Sequence, residues 1–260
     1  CSPFPQRYAT ILSGLQTAKN VITTGRTDYV QLASGSSSSG PVKDGRLKPE
    51  IVALGEAILS TKGNFNINDA YWGAWGTSMA APAITGGLAL LYERYKQLNS
   101  AQNPTGALMK AILLNGARDI GTTGPDFRNG YGMMHLENSL RMLENHSYKQ
   151  GSIQQSEVHD TVITIPAGIA QLKVMLYWHD PAANVLASKT LMNDIDLTVI
   201  APGGSTVLPL TLNANPPSVA NAATHGTDHT NNSEQIVIDN PAPGSYTIRA
   251  RGYDVMVASP

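Results

Sequence analysis

The pattern of apolar residues changes character near residue 148, and this constrains the fold of the 260-residue chain more than any other feature. Before that point, short apolar runs alternate with helix-length segments, the grammar of an α/β layer structure. After it, apolar and polar residues alternate with period two, and Pro and Gly interrupt about every 10 residues, as in antiparallel sheets. The sequence therefore predicts two domains, 1–147 and 148–260. In the first, Asn20 to Gly25 and Pro49 to Leu54 read as buried strands. Met79 to Leu98 reads as a helix with a small-sided, buried start, and Pro104 to Gly116 as a second helix. In the second, strands are expected at Thr161 to Ile165, Leu172 to Trp178, Asp194 to Ile200, Gln235 to Ile238, Tyr246 to Arg251 and Tyr253 to Val257. Ser34 to Pro41 reads as a flexible linker or as a surface loop of a rigid domain.

Composition removes several classes of function. The 18 basic and 19 acidic side chains nearly cancel, so no electrostatic footprint for nucleic acid or an anionic membrane is present. No run approaches the roughly 20 apolar residues of a membrane helix. The single cysteine, Cys1, cannot close an internal disulfide, so an extracellular role would rest on packing or bound ions.

The chemistry concentrates in Gly76-Thr-Ser-Met-Ala-Ala-Pro82. A serine at the start of a helix faces unpaired amides and the positive end of the helix dipole. An anion developing beside Ser78 would be stabilised there, and the Ser78 N–H could act as one oxyanion donor. The competing reading is an ordinary Ser/Thr N-cap.

This stretch resembles the nucleophile motif of the subtilisin-like serine proteases. Further blocks extend the resemblance: Thr17-Ala-Lys-Asn-Val-Ile-Thr23, Asp44-Gly-Arg-Leu-Lys-Pro-Glu-Ile-Val52 and Asn129-Gly-Tyr-Gly132. Leu54 stands where the family usually has proline. The second half resembles a β-sandwich appended to one branch of these proteases. Its matching blocks are Leu176 to Pro181, Asn193 to Val199, Asn231 to Gln235 and Asn240 to Ile248. The resemblance implies part of a doubly wound parallel sheet followed by a jelly-roll-like sandwich. It implies a secreted or cell-surface endopeptidase acting on protein or peptide substrates, with Ser78 as nucleophile and Gly76 and Thr77 shaping the oxyanion turn. No cofactor is required for that chemistry.

In the family, the catalytic Asp and His and the oxyanion Asn precede the serine, and this chain starts after all three. The N-terminal half of the same protease is therefore the expected partner, and the chain alone is expected to be inactive, since serine without a base is a weak nucleophile. The rival reading is a non-catalytic binding or assembly module derived from a protease. His225-Gly-Thr-Asp-His229 imitates a catalytic histidine motif but reads as a surface loop. His179 and Asp180 are adjacent, so a strand would send them to opposite faces. Asp194 and Asp196 share one strand face; with Asp180, and with Asn232 and Glu234 nearby in the family's arrangement, they could offer oxygen ligands to a structural calcium ion.

Overall fold

The computed structural model describes residues 2–30, 35–63 and 70–256. Cys1, Ser34 and Val257, which figure in the expectations above, lie outside them. A short 3-10 turn at Leu15–Thr17 precedes β1 (Thr24–Thr27), β2 (Ile51–Leu54), β3 (Ile58–Thr61) and β4 (Tyr71–Ala74). Three helices follow: α1 (Thr77–Leu98), α2 (Gly106–Gly116) and α3 (Leu136–Glu144). β1 and β2 pair in parallel, Thr24 opposite Ile51, and Val52 makes a further parallel bridge to Met133. Among the described residues the parallel sheet is therefore narrow, a pair with one bridge. β3 and β4 pair antiparallel in a separate two-stranded sheet.

Helix α1 packs through Ala80, Ile84, Gly87, Leu91 and Tyr95, the three-to-four spacing of a single apolar stripe. Its first turns meet Ile51, Ala53, Leu113, Leu114 and Phe127. Its later turns meet Leu108, Met109, Ile112 and Leu143. Gly87 is fixed by this contact, because a Cβ there would lie 2.7 Å from Leu136 Cδ2 and 2.9 Å from Met134 Sδ. Helix α2 begins at Gly106 rather than Pro104, since the Thr105 hydroxyl caps it by accepting from Leu108 N at 3.2 Å. The chain from Gly35 to Pro41 is not a free linker: Ser39 and Gly40 are buried, and Gly40 N–H donates to Phe127 O at 2.9 Å.

The second half comprises β5 (Val158–Ile165), β6 (Gln171–Tyr177), β7 (Asn193–Ile200), β8 (Thr206–Val207), β9 (Leu210–Thr211), β10 (Thr224–His225), β11 (Ser233–Asp239) and β12 (Gly244–Val255). One antiparallel sheet runs β5-β12-β7-β8 and a second pairs β11 with β6. Leu197, Val199, Ile236 and Tyr246 form their shared core. Tyr246 to Arg251 and Tyr253 onward are not two strands. Gly252 sits in a register shift that lets β12 continue along β7, where a Cβ would overlap Gln154 O. Trp178 falls just beyond β6, its indole N–H donating to Asn193 O at 2.8 Å.

Candidate active site

Ser78 is exposed in the first turn of α1, and the turn before it is locked from beneath. Gly55, just after β2, donates to Thr27 O at 3.1 Å, and Gly76 N–H donates to Gly55 O at 2.8 Å. A Cβ on Gly55 would come within 2.5 Å of Gly76 O, so glycine is required for this approach. Arg26 adds a bond from its guanidinium to Gly55 O at 3.1 Å. Gly76 itself has φ 146°, a region that disfavours side chains, and it offers no side-chain cap. Its carbonyl accepts from Met79 N at 3.0 Å and Ala80 N at 3.4 Å. Among the described residues, the N–H groups of Thr77 and Ser78 have no hydrogen-bond partner, and the first turn carries no acidic residue. Pro82 supplies no N–H to the Ser78 carbonyl four residues earlier. The result is a serine hydroxyl beside free amides at a positive helix end, an arrangement that favours developing negative charge.

Among the described residues no His, Asp or Glu makes a hydrogen bond or ion pair with Ser78. The histidines are placed elsewhere. His135 caps α3, His159 lies 2.8 Å from Glu157, and His225 is an exposed residue of β10 whose Nδ1 is 2.6 Å from Leu208 O. His179 is exposed while Asp180 is buried, and both lie beyond the end of β6 rather than in a strand. Burial, and then the nearby Lys110 cation, pushes the His179 imidazole below its usual range.

The three carboxylates proposed from sequence as metal ligands are split by the fold. Asp194 and Asp196 come together with His229, their ligand atoms all within 4.8 Å of one another. Asp180 is not in that group. It is paired with Lys19 and accepts from Asn193 N at 2.7 Å and Met192 N at 2.9 Å. Asn20, read as a turn or strand-edge residue, joins the same region: its amide donates to Asp180 O at 3.0 Å and accepts from Asn232 at 3.1 Å. Lys19 also donates to Pro181 O and Thr190 O, both at 2.5 Å.

A second buried cluster escaped the sequence reading. Glu50 pairs with Lys48 at 2.9 Å and with Lys110, and accepts from Thr23 N at 2.8 Å. All three ionisable residues are buried. Burial lowers both amines, Lys48 to about 8, against the opposing pull of Glu50. Lys110 Nζ stands 4.8 Å from the centre of the Tyr177 ring. Lys110 within the apolar run of α2 was the available signal; its partner Glu50 lies 60 positions away, so in sequence it reads as a solvated charge.

The fold and this site define a mixed α/β protein presenting an exposed serine at the uncapped start of its central helix. Residues 7–132 match the model of the subtilase family, Peptidase_S8. The chain is similar to the "Serine protease/ABC transporter B family protein tagA" of Dictyostelium discoideum, 25% identical over 256 residues covering 85% of this chain and 14% of that protein. It is similar to an "Extracellular serine protease" of Serratia marcescens, 29% identical over 134 residues covering 46% of this chain and 12% of that protein. The chain thus spans about one seventh or less of these relatives' length. Among solved structures, the CspB protease of Clostridium perfringens aligns at a TM-score of 0.47 and 33% identity, covering 53% of this chain and 30% of that one.

Proposed function

We propose that this chain supplies the nucleophile of a serine endopeptidase, Ser78, whose hydroxyl attacks a peptide carbonyl while its own N–H and the turn at Gly76 and Thr77 receive the oxyanion. The observation that carries this reading is the exposed serine beside unpartnered amides within a segment that matches the subtilase family. The base and its orienting acid come from an upstream segment of the same protease. That segment has a surface to pack on: Leu59, Tyr71, Trp72, Trp75 and Leu90 are all more than half exposed, and Ala81, Pro82 and Ala89 of α1 are exposed beside them. Such apolar surface around a reactive serine is costly unless covered. Residues 1–147 form the catalytic part and 148–260 a jelly-roll-like sandwich. Its place of action is outside the cell, a reading supported by the Serratia relative's name.

The test is co-expression of this chain with its upstream segment, followed by digestion of an unstructured protein substrate. Cleavage that disappears in Ser78→Ala supports the reading. An assembled complex with no Ser78-dependent cleavage would leave a non-catalytic assembly module instead.

A further inference from the structure

Asp194 is an anomaly of the second half. It is 3% exposed, yet among the described residues neither carboxylate oxygen receives a hydrogen bond. A buried acceptor without a donor is costly, and more so when it is charged. Its nearest cationic groups do not remedy this. His229 Nδ1 lies 2.9 Å from Asp194 Oδ2 but outside hydrogen-bonding geometry, and Lys189, mostly exposed, lies 3.7 Å away. Asp196 adds a second carboxylate, 3.8 Å from the same imidazole nitrogen. The imidazole is held in place, since its ring stacks on Tyr253 at 4.4 Å with planes 17° apart. The group thus comprises two carboxylates on one face of β7 and a fixed nitrogen from the loop before β11, converging on one point.

We propose that Asp194, Asp196 and His229 form a divalent-cation site of the zinc class. Zinc takes nitrogen and oxygen ligands at about 2.0 Å in a tetrahedron, which spaces neighbouring ligands by roughly 3.3 Å. The separations of 2.9 and 3.8 Å from His229 Nδ1 bracket that spacing. Calcium, which the sequence suggested, takes six to eight oxygen ligands. Here Asp180 is committed to Lys19 and a nitrogen occupies the third position. Burial raises both Asp194 and Asp196 above the usual carboxylate range, and a bound cation would reverse that. Three protein ligands leave a fourth position for water.

The site is independent of Ser78 chemistry, so its test reads metal binding. The full chain, stripped with chelator, is titrated with Co²⁺ as a visible-absorbing probe, then with Zn²⁺ and Ca²⁺, while thermal unfolding is followed. Because Asp194→Asn would alter a buried position, the variants are His229→Ala and Asp196→Asn, each checked by circular dichroism. His225→Ala is the control. The expected result is one Co²⁺ per chain with a ligand-field band that Zn²⁺ removes and Ca²⁺ leaves, and a Zn²⁺-induced rise in Tm of about 5 °C or more. Zn²⁺ affinity should fall at least about tenfold in both variants and hold in the control. Absence of both band and shift would reduce the group to an ion pair. A Ca²⁺-induced shift that survives His229→Ala would make it an all-oxygen calcium site. Either result overturns the proposal.

Discussion

At the scale of single residues, glycines and buried acids carry the sharpest consequences. Gly132 has φ 116° and packs so tightly on the Arg118 carbonyl that a Cβ would overlap it. Gly168 has φ 84° with open space around it. Gly132→Ala should therefore cost more than about 3 kcal/mol, strain plus overlap, and Gly168→Ala only about 1–2 kcal/mol, in urea denaturation. Equal losses would contradict the packing argument. Glu234 makes a pH prediction. It is buried on β11, accepts from Leu197 N at 2.6 Å, and is pushed up to about 9 by burial and then by Asp228, Asp196 and Asp194. A carboxyl raised in the folded state favours folding below the unfolded value of 4.5, and that contribution is lost as pH rises through 9. Gln keeps the acceptor and cannot ionise. Glu234→Gln should gain stability relative to the parent from pH 5 to 9, exceeding about 1 kcal/mol at pH 9; identical curves at both ends would refute this. Lys48 titrates in both proteins and cancels. The helix start that carries Ser78 was legible from seven consecutive residues; the close approach of Gly132 to the Arg118 carbonyl was not. Asp180 and His229 were not, because their partners lie 161 and 35 positions away in the sequence.

Among the elements, α1 joins sequence to site most directly. Its buried stripe follows from spacing, and its exposed small-residue face explains why the start of the helix reads as core: both faces are apolar, though only one is covered here. Helix α2 and the segment leading into β2 are joined by the Lys48–Glu50–Lys110 cluster, two cations sharing one anion. Removing the shared anion should hurt most. Glu50→Gln leaves two buried ammonium groups uncompensated and should cost about 3–5 kcal/mol, whereas Lys110→Met leaves the Lys48–Glu50 pair intact and should cost less. The reverse order, measured by chemical denaturation, would show that Glu50 is not the hub. The expected elements kept their type, but α3, the β3–β4 pair and the two-residue strands β8 to β10 were not anticipated, and boundaries shifted where side chains intervened. β1 starts at Thr24 because Asn20 is drawn to Asp180, and α2 starts at Gly106 because Thr105 caps it. The bulge at Gly252, which fuses two anticipated strands into β12, has no period-two signature.

At the scale of the whole molecule, the two halves share more than a linker. Val219 packs into the core formed by Leu47, Phe127 and Tyr131, and the Tyr131 hydroxyl is 2.9 Å from Ser233 Oγ. Gln235 donates to Asn115 at 3.2 Å, and Lys173 donates to Ala117 O at 2.9 Å. Such a joint couples the halves, so calorimetry should record one unfolding transition, split or broadened by Lys19→Met, which leaves buried Asp180 without its cation. Two separate transitions in the parent chain would contradict that coupling. The change of pattern near residue 148 foretold two grammars, but no local pattern announced this joint, which combines apolar packing at Val219 with polar contacts scattered through both halves. The central claim remains that Ser78 is a nucleophile. Its most direct test is mass-spectrometric mapping of a fluorophosphonate adduct after the chain has been assembled with its upstream segment. The account predicts a single adduct on the peptide containing Ser78, absent in Ser78→Ala and in the chain alone. An assembled, folded complex that leaves Ser78 unmodified, or carries the adduct elsewhere, would contradict it.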